Sequence, residues 1–183
     1  VHISPESIQS YEQGNFLWHW HPEIELTWIM SGEMEYRVND QSYLLKKDEG
    51  LFGNSNTLHA GFRQGSKECS YLSITFHPRF LYGYDNSVLQ EKYVAPVTED
   101  ERWPAFKLER NVVGHQRILK WMQEIYEIWE KRPPDYELEI HILLMQIWQK
   151  LYRYVTRQPE QGQMSGGQLS RLREMVAYME QHY

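Results

Sequence analysis

Two histidines and a glutamate occupy alternate positions in NFLWHWHPEIELTWIMSG, residues 15–32. On an extended chain, residues two and four apart project from the same face, so we expect His19, His21 and Glu25 to point the same way. Imidazole and carboxylate groups that converge are suited to a divalent metal, and His59, in a later strand-like segment, is the candidate fourth ligand. Three histidines and one glutamate with open positions would suit Fe, Mn, Ni, Zn or Cu.

The sequence around this stretch predicts β-strands as far as about residue 80, because short apolar or alternating runs are separated by turn formers. A turn about every 8–15 residues is typical of an antiparallel sandwich or barrel. The best-defined hairpin turns at Asn39-Asp40, where Met34 and Tyr36 alternate with charged residues that we expect to face water. The predicted strands are 23–31, 33–39, 41–45, 51–53, 57–63 and 69–77.

Helical periodicity replaces the strand pattern in the second half of the chain. Residues 81–113 have no clear period, and we expect irregular structure there with one or two short helices. An apolar stripe of helical spacing then runs from Gln116 to Lys131, where Pro133-Pro134 ends the helix.

A second helix is expected to begin near Asp135, a good N-cap residue, and to continue to about Thr156. Because a short proline turn joins the two helices, they should form an antiparallel helical hairpin. The predicted division of the chain is a barrel with an irregular extension at 1–114, the helical hairpin at 115–156, a linker at 157–168 and a further helix at 169–183.

Composition excludes several classes of protein. The 183-residue chain carries 19 Lys and Arg against 25 Asp and Glu, a net charge of −6, which argues against DNA binding by this fragment through phosphate contacts. Its single cysteine, Cys69, excludes an internal disulfide, and no apolar run approaches the roughly 20 residues that span a bilayer. With neither an initiator Met nor a leader at Val1, we expect an excised fragment of a cytoplasmic protein that does not contact membranes.

The spacing of these residues is similar to the two-part signature of the cupin β-barrel. Its first part is His-x-His, three residues, Glu25, six residues and Gly32; its second contains Gly50 and His59 but lacks the usual proline before the histidine and the asparagine after it. The longer stretch HWHPEIELTWIMSGEMEYRVNDQSYLLKKDEGLFGNSNTLHAG, residues 19–61, resembles the N-terminal sensor domain of AraC-type transcription factors. The final residues LSRLREMVAYMEQHY also resemble that family's entry into a helix-turn-helix domain.

The resemblance implies a mainly β fold with C-terminal α-helices: a cupin-like double-stranded β-helix, or jelly-roll, barrel followed by the helical hairpin. It implies an effector-sensing and dimerisation domain of a regulator that responds to a small molecule such as a carbohydrate, with DNA bound through a C-terminal domain beyond this fragment. We expect a homodimer. The expected effector-binding residues are His19, His21, Glu25, Tyr36 and His59, and the expected dimerisation residues are Ile140, Leu144, Ile147, Trp148 and Leu151.

Three roles remain open for the histidines and Glu25. They could line an effector pocket, bind a divalent metal, or persist from cupin ancestry as hydrogen-bonded structural groups. The resemblance implies that no cofactor is required. The alternative function is a metal-dependent cupin enzyme, a dioxygenase or isomerase, that uses His19, His21, Glu25 and His59 around an open metal position.

Overall fold

Nine antiparallel strands form the barrel of the computed structural model, which describes residues 1–11, 14–65 and 68–157. All but the first and the last correspond to alternating or apolar runs of four to eight residues. The strands are β1 (His2–Ser7), β2 (Asn15–His19), β3 (Ile24–Ser31), β4 (Glu33–Val38), β5 (Gln41–Lys46), β6 (Gly50–Gly53), β7 (His59–Arg63), β8 (Ser70–Phe76) and β9 (Ala105–Leu108).

The strands pair in a nested order that defines a jelly roll. One sheet has the order β1-β8-β3-β6-β9 and the other β2-β7-β4-β5. The first strand therefore pairs with the eighth, the second with the seventh, the third with the sixth and the fourth with the fifth, all antiparallel. This arrangement confirms the predicted mainly β, cupin-like barrel.

The hairpin of β4 and β5 forms as predicted. Asn39 adopts a φ of 53°, as the tight turn requires, and Val38 pairs with Gln41 across it. Met34 and Tyr36 are buried, whereas Arg37 between Tyr36 and Val38 is exposed. The period-two pattern therefore identifies the buried face of this strand correctly.

Three strand features differ from the sequence prediction. The stretch that contains the two histidines is not one extended strand, because β2 ends at His19 and β3 begins only at Ile24. Pro22 in the intervening bend has no N–H with which to continue a ladder. Strand β1, which includes Pro5 at a sheet edge, was not predicted, and β9 lies in the segment expected to be irregular.

The helices largely follow the predicted pattern. Between β8 and β9 lie two short α-helices and one π-helical turn, and the two long helices form an antiparallel hairpin, with Arg132 in the left-handed conformation after the first of them. Asp135 occupies the N-cap position of the last helix, although its side chain makes no capping hydrogen bond. The helices are α1 (Arg79–Tyr82), the π-helix (Gln90–Val94), α2 (Ala95–Thr98), α3 (Val113–Lys131) and α4 (Tyr136–Val155).

The helical hairpin packs against the five-stranded sheet and shares a hydrophobic core with it. All five residues expected to mediate dimerisation belong to that core and are at most 4% exposed. The prediction of a dimer interface through these side chains is therefore wrong, because the apolar stripe of α4 covers this chain's own barrel. The residues concerned are Ile140, Leu144, Ile147, Trp148 and Leu151.

The predicted linker and final helix fall almost wholly on residues 158–183, outside the described residues. Among the residues that the structure does describe, no helix combines the length and apolar character needed to cross a bilayer.

Candidate functional site

Three histidines from separate parts of the chain converge inside the barrel. His19 ends β2, His21 lies in the bend before β3, and His59 begins β7, where it pairs with His19. Each offers a ring nitrogen, and these nitrogens all lie within 4.8 Å of one another. The ring centroids of His19 and His59 are 4.2 Å apart and those of His21 and His59 4.9 Å apart. Together with Glu25 we name these residues the histidine cluster.

Glu25 is the buried anion of the cluster, with 8% of its surface exposed. Its Oε1 accepts hydrogen bonds from the hydroxyls of Tyr36, at 3.0 Å, and Thr27, at 2.9 Å. Its Oε2 lies 3.5 Å from Nε2 of His21 and 3.7 Å from Nε2 of His59. Burial would raise the pKa of Glu25, but the neighbouring histidines and the Thr27 hydroxyl outweigh it and lower that pKa to about 2.

Two of the histidines are oriented by backbone carbonyls. Nδ1 of His19 lies 2.9 Å from the carbonyl oxygen of Leu17, and Nδ1 of His59 lies 2.9 Å from that of Thr57. Because a carbonyl oxygen only accepts, these contacts assign the proton to Nδ1 and leave a lone pair on each Nε2 when the ring is neutral. Backbone contacts of this kind fix the tautomer and the ring orientation of histidines that bind metals.

The cluster has an unusual electrostatic arrangement at its centre. Burial lowers the pKa of His59 to about 4 despite the nearby Glu25 carboxylate, so the ring is neutral at physiological pH. Its Nε2 is buried without a hydrogen-bond partner among the described residues, and it faces the Glu25 carboxylate. Two acceptors therefore point at one another, an arrangement that a cation or a hydrogen-bond donor placed between them would stabilise.

His21 differs from His59 in both exposure and charge. Its hydrogen bond with Glu25 is the largest influence and outweighs burial, so the pKa of His21 is raised. Its Nδ1 faces the Glu23 carboxylate at 3.5 Å. The raised pKa favours the protonated ring, so within the histidine cluster His21 is the residue that offers positive charge to Glu25.

A cavity of about 460 Å³ opens beside the cluster, and we name it the barrel cavity. His19 and Glu25 line the barrel cavity, whereas His21, Tyr36 and His59 are not in its wall. Tyr36 is linked to the cavity only through its hydrogen bond to Glu25. The remaining wall comes from β1 and β8 at one edge of the five-stranded sheet, from β2 and from the segment before β2. The lining residues are His2, Ser4, Glu6, Tyr11, Phe16, Leu17, His19, Glu25, Tyr71 and Ser73.

Most of these wall residues were missed by sequence reasoning. Those on β1 were missed because the strand itself was not predicted, and no local signal joins it to β8 far along the chain. Phe16 reaches the wall because its ring occupies the space above Gly61 of the neighbouring strand. A Cβ on Gly61 would lie 2.2 Å from that ring, so the glycine permits Phe16 to reach the cavity wall.

Comparison with known proteins identifies the same domain type. The sequence profile of the AraC-like ligand binding domain family matches residues 7–147, which is more than half of the chain. The uncharacterised HTH-type transcriptional regulator YdeC of Bacillus subtilis is 26% identical over 165 residues, covering 90% of this chain and 55% of the relative. This chain thus spans about half the length of that relative.

Two solved structures share the fold. Apo ToxT from Vibrio cholerae has a TM-score of 0.59 at 9% identity, over 89% of this chain and 59% of that one. The AraC-like transcriptional activator CuxR has a TM-score of 0.50 at 10% identity, over 86% and 51% of the two chains. With the family profile covering barrel and helices alike, the chain belongs to the AraC-like ligand binding domain family.

Proposed function

We propose that this chain is the effector-binding part of a transcriptional regulator, and that the barrel cavity holds a neutral polyhydroxylated molecule of the carbohydrate class. The observation that carries the proposal is the composition of the cavity wall. Aromatic side chains of Tyr11, Phe16 and Tyr71 stand beside hydroxyls and carboxylates in the same cavity. Aromatic faces pack against the apolar faces of sugar rings, and the polar groups supply directed hydrogen bonds.

The charge of the wall favours a neutral effector over an anionic one. Glu6 and Glu25 both line the cavity, and Glu25 keeps its charge because its pKa is lowered. An anionic effector would meet these carboxylates in a partly desolvated space, which is unfavourable. Hydroxyl groups can donate to carboxylates without that penalty.

A calorimetric screen of pentoses, hexoses and polyols tests the effector proposal. We expect at least one compound to bind, and Tyr71→Phe to weaken its affinity by about 3- to 10-fold, because the change removes one hydroxyl from the cavity wall. Tyr84→Phe is the matched control, since Tyr84 is 69% exposed and outside the cavity. Absence of binding across the screen, or equal affinity in wild type and Tyr71→Phe, would contradict the proposal.

The histidine cluster supports a second proposal, a divalent cation bound by His19, His21, His59 and Glu25. The facing acceptors on His59 and Glu25, together with the carbonyl-oriented rings, fit such an ion. When bound, the ion would act as a Lewis acid towards an oxygen ligand in the cavity. The cupin-enzyme alternative requires this ion, whereas the regulator proposal does not.

Titration with Zn²⁺ or Mn²⁺, on protein without a histidine tag, tests the cation proposal. We expect the wild type to bind the ion stoichiometrically. In His21→Ala the affinity for the ion should fall by at least about 10-fold, since a ligand is lost. His77→Ala should bind as the wild type does, because His77 is exposed after β8 and lies outside the cluster. If the wild type binds no ion, or if both variants bind equally, the cluster is not a metal site.

Homodimerisation remains a proposal, now assigned to a different surface of α4. Residues 138, 142, 145, 149 and 152 follow a heptad spacing along α4 beside its core stripe. Met145 and Tyr152 are half-buried against the core, whereas Leu138 and Ile142 are 62% and 50% exposed. We name this surface the α4 face. In an antiparallel pair of α4 helices, Glu139 near one end would approach the partner's Arg153 near the other, so the face is self-complementary.

Sedimentation of Ile142→Glu tests the dimer. We expect wild-type protein to be dimeric at tens of micromolar and Ile142→Glu to be monomeric and folded, because a charge would be buried at the seam while the exposed site tolerates it. Val113→Glu on α3, 82% exposed in the wild type, should stay dimeric. A monomeric wild type under these conditions would refute the dimer.

DNA binding belongs in this proposal to the longer regulator and not to residues 1–157. The matched relative is called an HTH-type regulator, and this chain covers 55% of it. The net charge of −6 is consistent with a sensor that does not itself contact phosphates. Effector binding would then act on DNA affinity by shifting the population of conformations.

A further inference from the structure

One four-residue loop is hydrogen bonded to two members of the histidine cluster. This loop, residues 54–57, lies in the connection between β6 and β7, which Leu58 completes. The carbonyl oxygen of Thr57 lies 2.9 Å from Nδ1 of His59, and the backbone N–H of Asn56 donates to the carbonyl oxygen of His21 at 2.9 Å. A shift of the His59 ring, or of the His21 backbone, therefore acts directly on the loop.

Asn54 anchors the loop to the helical region between β8 and β9. It is 5% exposed, and its side-chain amide donates to the carbonyls of Val97, at 2.8 Å, and Trp103, at 3.0 Å. Its Oδ1 accepts from the N–H of Ser55 at 2.8 Å, and its own N–H donates to the carbonyl of Pro104 at 2.9 Å. A buried amide with this many satisfied bonds allows few alternative positions.

The loop is also braced internally, since the Thr57 hydroxyl donates to the carbonyl oxygen of Asn54 at 2.8 Å. The contact to His59 and the anchor at Asn54 therefore belong to one hydrogen-bonded unit. Three of the four loop residues are buried, with Asn54, Ser55 and Thr57 all at most 7% exposed, whereas Asn56 is exposed.

The helical region that Asn54 anchors is itself in contact with α4. Val97 lies in α2, which directly continues the π-helix, and the carbonyl oxygen of Tyr93 in that π-helix accepts a hydrogen bond from the indole N–H of Trp148 at 3.0 Å. The Tyr93 ring packs edge-on against Tyr152 of the α4 face, with centroids 5.4 Å apart. π-Helical turns are rare and frequently occur at functional sites.

We propose that the loop of residues 54–57 couples the histidine cluster to the α4 face, with Asn54 as the positioning residue. The inference rests on the proposed effector function, because a ligand beside His19 and Glu25 would act on His21 and His59. A change of ring position is passed through the loop to Val97 and Trp103, and from there to Tyr93 and Trp148. Such coupling is reciprocal, so association at the α4 face would also change affinity in the cavity.

The indole N–H of Trp148 reports on the far end of this connection, and its nuclear magnetic resonance signal can be assigned by Trp148→Phe. We expect His59→Ala to move this signal by more than its linewidth. In an Asn54→Ala background the same substitution should leave the signal in place, because the anchor to Val97 and Trp103 has been removed. Such a double-mutant comparison measures coupling, which spatial proximity alone does not.

Tyr84→Phe is the control, because Tyr84 is 69% exposed and lies outside both the histidine cluster and the loop. We expect it to leave the Trp148 signal unchanged. The proposal is overturned if His59→Ala does not move the signal, or moves it equally in both backgrounds. If Asn54→Ala does not fold, Thr57→Val, which removes only the brace within the loop, serves as the second background.

These measurements use the chain without any effector, so they separate the coupling from the effector proposal. A failed sugar screen with a positive Trp148 result would leave the coupling standing and refute the ligand class. If a sugar binds but the Trp148 signal does not move, the ligand class stands and the coupling is refuted.

Discussion

Replacing Leu144 by alanine is expected to lower the free energy of unfolding by about 3–5 kcal/mol. Leu144 is completely buried between α4 and the five-stranded sheet, and the barrel side of that core cannot collapse into the space left by the removed atoms. Urea unfolding followed by tryptophan fluorescence measures the loss. The midpoint should be independent of protein concentration in the range where the chain is monomeric.

Ile142→Ala is the control for this experiment, because Ile142 lies two residues away on the same helix and is half exposed. We expect it to cost less than about 1 kcal/mol in the monomer. The two substitutions therefore separate the core stripe of α4 from the α4 face. A Leu144→Ala chain with wild-type stability and a lost dimer would place Leu144 at an interface instead.

Replacing Gly32 by alanine is expected to destabilise the fold by about 2–5 kcal/mol, from a left-handed backbone and from overpacking together. Gly32 has a φ of +72° between β3 and β4, and a Cβ there would lie 2.1 Å from the backbone oxygen of Glu68 and 2.9 Å from Cα of Cys69. Backbone atoms cannot move aside as a flexible side chain can. Thermal or urea unfolding of the purified variant measures the loss.

Gly65→Ala isolates the backbone contribution to that loss. Its φ of +65° is similar, but no atom lies within 4 Å of the added Cβ. The expected cost is about 1–2 kcal/mol, from conformation alone. Equal losses at the two glycines would show that the close approach of residues 68 and 69 to Gly32 does not contribute to the loss in free energy of unfolding.

The central strands were predictable because local pattern and tertiary role agree in them. In β4, apolar residues alternate with charged ones and a tight turn follows, so the sequence indicates both that β4 pairs with β5 and which face of β4 is buried. Strand β1 has no such signal, since only Ile3 among its residues is buried. Strand β9 has four residues, three of them buried, and follows a proline.

The apolar stripe of α4 shows the limit of periodicity. Helical spacing identified Leu144 and Trp148 as apolar neighbours but contained no information on what covers them. The histidine cluster was foreseeable from its spacing, although the bend at residues 20–23 breaks the single strand on which that reasoning relied. The cavity wall was not foreseeable, because it depends on pairs such as His2 with Thr75 that form only in the complete fold.

We expect the nested strand pairing also to determine the order in which the strand pairs of the barrel form. The β4–β5 turn closes a short segment, whereas His2 must find Thr75 across almost the whole barrel sequence, and the entropy of closing a segment increases with its length. Pairs of long range make such topologies slow to fold. We therefore expect the cavity wall on β1 to be among the last parts of the barrel to form, because β1 can complete that wall only after residue 75 has been synthesised and paired.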